Sequence, residues 1–198
     1  TINDSTLKLM QLVSERTASI GVRGYYTAEV LAAHGIHNTS ILGCPSFYMN
    51  LHPNKVRMVN GESLANCSVN FSRRVNAHSF RPTALRKVEN TLLELAIASD
   101  AGFVAQDELE ELRLASGDLS GRGLIAEYFH EIPEEKVTTY FRNRTRYFHS
   151  PTAWSDYISN ISFSIGSRFH GNIIALLSGT PALFVIHDSR TMELCSLL

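Results

Sequence analysis

Cysteine is scarce in this chain: Cys44, Cys67 and Cys195 are odd in number and far apart. They can form neither a disulfide framework nor a paired-thiol metal site, and a reducing compartment suits them better. His34, His37, His52, His78, His130 and His149 show no H-x-x-x-H spacing and no cysteine companion, so no metal centre is expected. An excess of one charge is also missing. Eighteen Lys+Arg face nineteen Asp+Glu, a formal net charge of −1, which offers no basic surface for nucleic acid. The longest apolar runs, Ile173–Leu177 and Ala182–Ile186, are far too short to cross a bilayer, so neither a transmembrane segment nor a cleavable signal before the first helix is expected. Neither G-x-G-x-x-G nor G-x-x-x-x-G-K-[ST] occurs, which argues against dinucleotide and P-loop chemistry.

What is present is the balance of a globular protein. The 198 residues are 44% hydrophobic and 19% charged, enough for one large domain or two small ones. The chain begins at Thr1 and stops inside an apparent helix, so a piece of a longer protein is expected. Six Asn-x-Ser/Thr sequons begin at Asn3, Asn38, Asn66, Asn70, Asn143 and Asn160. Asn70 and Asn160 fall in or beside expected buried strands, so coincidence explains the set better than glycosylation.

Element types alternate from end to end. In a first block, helix Ser5–Ser14, capped by Asp4 or Ser5, is followed by strand Ser19–Val22. Helix Tyr26–His34, stopped by Gly35, and strand Ile41–Leu42 complete it. Pro45–Leu64 loses periodicity and reads as a linker. A second block predicts strands at Ser68–Phe71, Gly102–Ala105, Val137–Tyr140, Ile161–Ile165 and Ala182–Ile186. Its helices are expected at Pro82–Ser99, Glu108–Leu114, Gly123–His130, Thr152–Ser159 behind a Ser150-Pro151 cap, His170–Leu177, and from about Ser189. Strands separated by helices imply right-handed βαβ units and parallel sheets. The expected architecture is α/β, two Rossmann-like blocks: residues 1–61 with the linker, and residues 62–198.

Ligands of an open parallel sheet bind outside the carboxyl ends of its strands. The polar residues standing there are Arg23 in the first block, then Arg73, Arg74, Gln106, Arg168 with His170, and His187 with Asp188. This donor-rich set suits an anion, since the arginine fork matches carboxylate or phosphate oxygens. The densest element is Ile161-Ser-Phe-Ser-Ile-Gly-Ser-Arg-Phe-His-Gly171, where a strand ends at Gly166 and a helix starts near His170. Amides and the positive dipole end at that helix start would hold an anion. His170 also shares a helical face with Ile173, Ile174 and Leu177, so a core histidine remains the alternative. The acidic run Asp107–Glu111 reads as a solvated helix start, and Tyr140–Phe148 as a strand end with an exposed loop.

The string GSRFHGNIIALLSGTPALFVIHDSR, Gly166 to Arg190, resembles the C-terminal signature of the polysaccharide pyruvyl transferase family. Ser19–Ile36 followed by Gly43–Phe47 resembles an earlier block of that family, in the right order. The resemblance implies a glycosyltransferase B-like fold and transfer of pyruvate from phosphoenolpyruvate onto two sugar hydroxyls as a cyclic ketal, with no separate cofactor. It implies His170 as acid/base or phosphate contact and Arg168 as anion clamp, within the Ser167–Gly171 turn. Arg73 or Arg74 would approach the donor, with Gln106, Arg23, His187, Asp188 and Arg190 as further cleft candidates. The partners implied are phosphoenolpyruvate and a saccharide or lipid-linked oligosaccharide acceptor. The implied setting is cytoplasmic, at or near the inner membrane face, with peripheral membrane contact left open. The family's Asp-Pro reads Cys44-Pro45 here, and its glycine-rich N-terminal opening has no counterpart in the chain. The alternatives are a nucleotide-sugar glycosyltransferase of the same fold type and a non-catalytic carbohydrate- or anion-binding module. The expected cleft requires Arg73 and His170 to stand on the same edge of one parallel sheet.

Overall fold

Short strands alternate with helices through the chain in a computed structural model that describes residues 2–49, 56–57 and 66–198. The described residues divide into two units, Thr1–Phe47 with Asp188–Leu198, and Tyr48–His187. The boundary expected at residue 61, and most of the expected linker, lie outside the described residues.

In the first unit, helix α1 (Asp4–Arg16) is capped by Asn3 rather than Asp4 or Ser5. The Asn3 side chain accepts from the Thr6 N–H at 2.8 Å. Strand β1 (Ile20–Val22), helix α2 (Tyr25–Ala32) and strand β2 (Thr39–Ile41) form a βαβ unit, with Ile20 opposite Thr39 in a parallel pair. Val22, Leu31 and Ile36 fill its small core. A parallel pair needs a crossover, and α2 supplies it.

The second unit is a five-stranded sheet of β3 (Cys67–Asn70), β4 (Gly102–Val104), β5 (Thr145–Arg146), β6 (Phe163–Gly166) and β7 (Ala182–Phe184). Its order is β5-β4-β3-β6-β7, and every neighbouring pair is parallel. Counted within this unit the order is 3-2-1-4-5, that of a doubly wound Rossmann-type sheet. The crossovers carry α3 (Pro82–Ala98), α4 (Leu109–Ala115), α5 (Arg122–Tyr128), α6 (Glu134–Arg144), α7 (Pro151–Ser159) and α8 (Phe169–Leu177). A last helix, α9 (Ser189–Cys195), belongs to the first unit, where the Glu193 carboxylate accepts from the Thr27 N–H at 2.7 Å at the start of α2. An anion there complements the helix dipole.

Residue alternation on β3 sets the core. Cys67, Val69 and Phe71 join one apolar cluster with Leu92 and Leu93 of α3, Phe103 of β4, and Phe141 of α6. Phe71, Phe103, Phe129 and Phe141 are at most 1% exposed, and Phe71 has ring centroids 5.0, 5.6 and 6.5 Å from the other three. Ser68, Asn70 and Ser72 occupy the alternate positions and are also buried. A smaller cluster, Ile158, Ile161, Ile174 and Ala175, joins α7 to α8.

Two expectations are corrected. Val137–Tyr140 is not a strand but the middle of α6. Its β-branched residues suggested a strand, yet Val137, Tyr140 and Phe141 are buried at helical spacing. Glu134 and Glu135 in the first turn and Arg142 and Arg144 in the last complement the dipole. The Tyr140–Phe148 cluster is therefore a helix end that runs straight into the two-residue edge strand β5, which was not foreseen.

The close approach of β6 to β3 depends on glycine. A Cβ on Gly166 would lie 1.6 Å from the Asn70 carbonyl oxygen, and one on Gly171 2.8 Å from Asn70 Cγ. In the space so left, Asn70 Nδ2 donates to Asn172 Oδ1 (2.9 Å) and Ser164 Oγ (3.2 Å). Asn172 Nδ2 donates to the carbonyls of Gly166 and Leu183, which links β3, β6, α8 and β7. Because the obstacle is backbone, Gly166→Ala is expected to destabilise the protein by about 3 kcal/mol. Chemical denaturation measures this, and an unchanged midpoint would contradict the packing described.

Candidate functional site

The strand order switches sides between β3 and β6, and the carboxyl ends of these two parallel strands bound the crevice where doubly wound sheets bind ligands. From β3 the chain continues into Phe71, Ser72, Arg73 and Arg74. From β6 it continues into Ser167, Arg168, Phe169 and His170 at the start of α8. Parallel pairing of Asn70 with Gly166 therefore brings both segments to one edge. Arg168 is the N-cap residue of α8, and its backbone N–H donates to Asn70 Oδ1 at 3.2 Å. His170 lies in the first helical turn and is exposed, which sets aside the core-histidine alternative. Its ring sits 5.8 Å from that of Phe169.

The arginines are engaged by a neighbouring acidic segment. Arg73 donates from Nε to Glu111 Oε1 at 2.8 Å and from a terminal nitrogen to Glu110 Oε2 at 2.9 Å. Burial pulls the Arg73 guanidinium downward, but Glu111 and Glu110 outweigh it and hold the group above its ordinary value. Arg168 pairs with Asp107 and, at 3.2 Å, with Glu108. Arg74 is the more open of the β3 arginines, with half its side chain exposed and Glu110 at 3.5 Å. The reading of Asp107–Glu111 as a solvated helix start is thus corrected. Glu108 and Glu111 are 2% and 1% exposed because the segment after β4 turns inward onto the two arginines.

Other candidates have structural partners. Ser167 is buried and donates to Glu89 Oε1 at 2.6 Å. Gly171 packs on Asn70. The Gln106 N–H donates to Glu108 Oε2 at 2.6 Å, and its side-chain nitrogen is buried without a hydrogen-bond partner among the described residues. His187 is buried beyond β7, with Nδ1 3.2 Å from the Val185 carbonyl. In the first unit, Asp188 caps α9 by accepting from the Thr191 N–H at 2.7 Å, Arg190 lies 4.0 Å from Asp188, and Arg23 is exposed after β1. Among the described residues no group of three His, Cys, Asp or Glu is placed to hold a metal ion.

A hollow of about 250 Å³ adjoins the β3 side of the crevice, with Arg73, Arg74, Arg86, Glu127 and Tyr128 in its walls. A groove of about 510 Å³ beside Phe80, Leu85 and Ile186 opens beyond β7. A hollow of about 550 Å³ by Asp100 and Tyr140 lies among residues that precede β4 and β5, away from the carboxyl edge.

Glu89 was missed by sequence reasoning, although a signal existed. It stands at the core position of α3 between Leu85 and Leu92, where the helical period calls for an apolar residue. It is 0% exposed and accepts from Ser167 Oγ and from Tyr128 Oη, both at 2.6 Å, and the Ser72 N–H faces it as well. Burial pushes the Glu89 carboxyl up to about 7 against the pull of these hydrogen bonds, and Glu108 nearby adds to the rise. Burial also raises Glu108, with Arg168 pulling the other way.

Unfolded Glu89 would lose its proton near pH 4.5, whereas the folded group keeps it to about 7. The corresponding stability is fully present below about pH 4.5 and is lost as pH rises through about 7, up to about 3 kcal/mol. Glu89→Gln should therefore gain on the wild type between pH 5 and pH 8 in denaturant unfolding. A constant difference would show that Glu89 titrates in the ordinary carboxylate range.

A family model described as polysaccharide pyruvyl transferase matches residues 1–189. No curated protein and no solved structure matches the chain.

Proposed function

The chain belongs to the polysaccharide pyruvyl transferase family, and from that premise we propose that it moves pyruvate from phosphoenolpyruvate onto two hydroxyls of a surface or exopolysaccharide sugar. The observation that carries this reading is the exposed His170 in the first turn of α8, beside Arg168 and across the crevice from Arg73 and Arg74. An anionic donor suits the positive end of the α8 dipole.

In the proposed reaction one sugar hydroxyl adds its oxygen to C2 of the enol, while C3 gains a proton and becomes the methyl group. The second hydroxyl then forms its bond to C2 as the C2–O bond to phosphate breaks. The products are the cyclic ketal and inorganic phosphate, which carries away the second hydroxyl proton. In this reading His170 gives the proton to C3 or takes one from a hydroxyl, and imidazole serves both roles near neutral pH. Arg74 offers its half-exposed guanidinium to the donor. For Arg168 to join it, the exposed carboxylate of Asp107 gives way while buried Glu108 stays in place. The acceptor is a saccharide or a lipid-linked oligosaccharide. Among the described residues no helix is long and apolar enough to cross a membrane. We infer a cytoplasmic setting from the donor, a product of central metabolism.

Phosphoenolpyruvate at a hundred times its dissociation constant should stabilise the protein by about 2.7 kcal/mol and raise its thermal midpoint. A midpoint moved by a nucleotide sugar and not by phosphoenolpyruvate would transfer the reading to a glycosyltransferase. Donor binding without turnover on any glycan would leave a binding module. His170→Ala is expected to lower turnover at least about a hundredfold with little change in midpoint, because the side chain is exposed. Undiminished turnover in that variant would remove His170 from the chemistry.

A further inference from the structure

We propose that Glu89 is a positioning residue, whose carboxylate ties the segment after β3 to the segment after β6 and so fixes where the crevice arginines and His170 stand. The inference rests on the reading of this crevice as the donor site. Its geometric basis is the placement of the donors. Ser72 immediately precedes Arg73, and Ser167 immediately precedes Arg168. The Ser167 hydroxyl donates to Glu89 at 2.6 Å, which pins the β6 segment one residue upstream of Arg168, and the Ser72 N–H, one residue upstream of Arg73, faces the same carboxylate.

The third donor widens the tie. Tyr128 Oη of α5 donates to Glu89 and accepts from Asn76 Nδ2 at 3.2 Å, while Asn76 also donates to the Pro82 carbonyl at the start of α3. The Arg86 guanidinium lies 5.0 Å over the Tyr128 ring and donates from Nε to the Tyr128 carbonyl. Both crevice segments are thereby referred to α3 and α5, elements of the main core.

A carboxylate is the side chain that suits this place. It has two acceptor oxygens and no donor when ionised, so it can accept from the Ser167 and Tyr128 hydroxyls together and still favour the Ser72 N–H that faces it. Glutamine has one acceptor oxygen and would set its amide N–H groups against a donor. Among the described residues no cation pairs with Glu89, so its burial is compensated by hydrogen bonds alone. An apolar residue here would pack with Leu85, Leu92 and Leu93 at lower cost and would hold neither segment.

The test compares wild type, Glu89→Gln and Ser167→Ala at pH 8 by amide hydrogen exchange and by calorimetric titration with phosphoenolpyruvate. In Glu89→Gln, exchange in residues 71–74 and 167–171 should accelerate at least about tenfold while β3, β6 and α3 stay protected. The dissociation constant for phosphoenolpyruvate should rise by at least about tenfold. Ser167→Ala, which leaves α3 untouched, should loosen the β6 segment alone. Wild-type exchange in both segments of Glu89→Gln overturns the proposal, and so does protection lost evenly across the second unit. Loosened segments with an unchanged dissociation constant overturn it as well. If phosphoenolpyruvate does not bind even the wild type, the donor reading fails, and the exchange pattern still decides whether Glu89 holds the two segments.

Discussion

The backbones of β3 and β6 meet where there is no room for a side chain, with the Asn70 carbonyl 1.6 Å from the place a Cβ on Gly166 would take. Much of the second unit follows from that contact. It puts the two strands in register at the point where the strand order switches sides, and it lets Asn70 and Asn172 close a buried hydrogen-bonded knot with Ser164. The same knot receives the N–H of Arg168, so the start of α8 is fixed by the central strand of the sheet. Polar groups at this depth are tolerable because they satisfy one another.

Charge at the crevice is balanced within the protein. Asp107, Glu108, Glu110 and Glu111 come from one segment after β4 and meet arginines from the other two segments. Pairs this deep contribute little net stability, since desolvation offsets much of their attraction. Their effect is to hold long side chains in place. Arg73 and Arg168 are thus preorganised, while Arg74 and His170 remain the more exposed groups around the helix start.

Much of this was legible in the sequence. Apolar runs located the four longer strands of the sheet to within a few residues, and once all strands are parallel their carboxyl ends must share an edge. That rule placed Arg73 and His170 on the same side before any geometry was known. Helix α6 was misread because β-branched Thr138 and Thr139 masked the helical spacing of Val137, Tyr140 and Phe141. The two residues of β5 are too few to show a period at all. The partners of the arginines were not legible, because Arg168 and Glu108 are joined by the fold and not by any local spacing. Glu89 was legible in principle, as a lone carboxylate on the apolar face of α3, but its role depends on hydroxyls brought from α5 and the β6 segment.

The central claim is that the β3/β6 crevice takes the anionic donor, and amide chemical shifts followed during titration with phosphoenolpyruvate test it most directly. The largest changes should fall on Arg168–Gly171 at the start of α8 and on Ser72–Arg74 after β3, and saturate together. Shifts confined to the groove beside Phe80 and Ile186, with α8 unmoved, would contradict it.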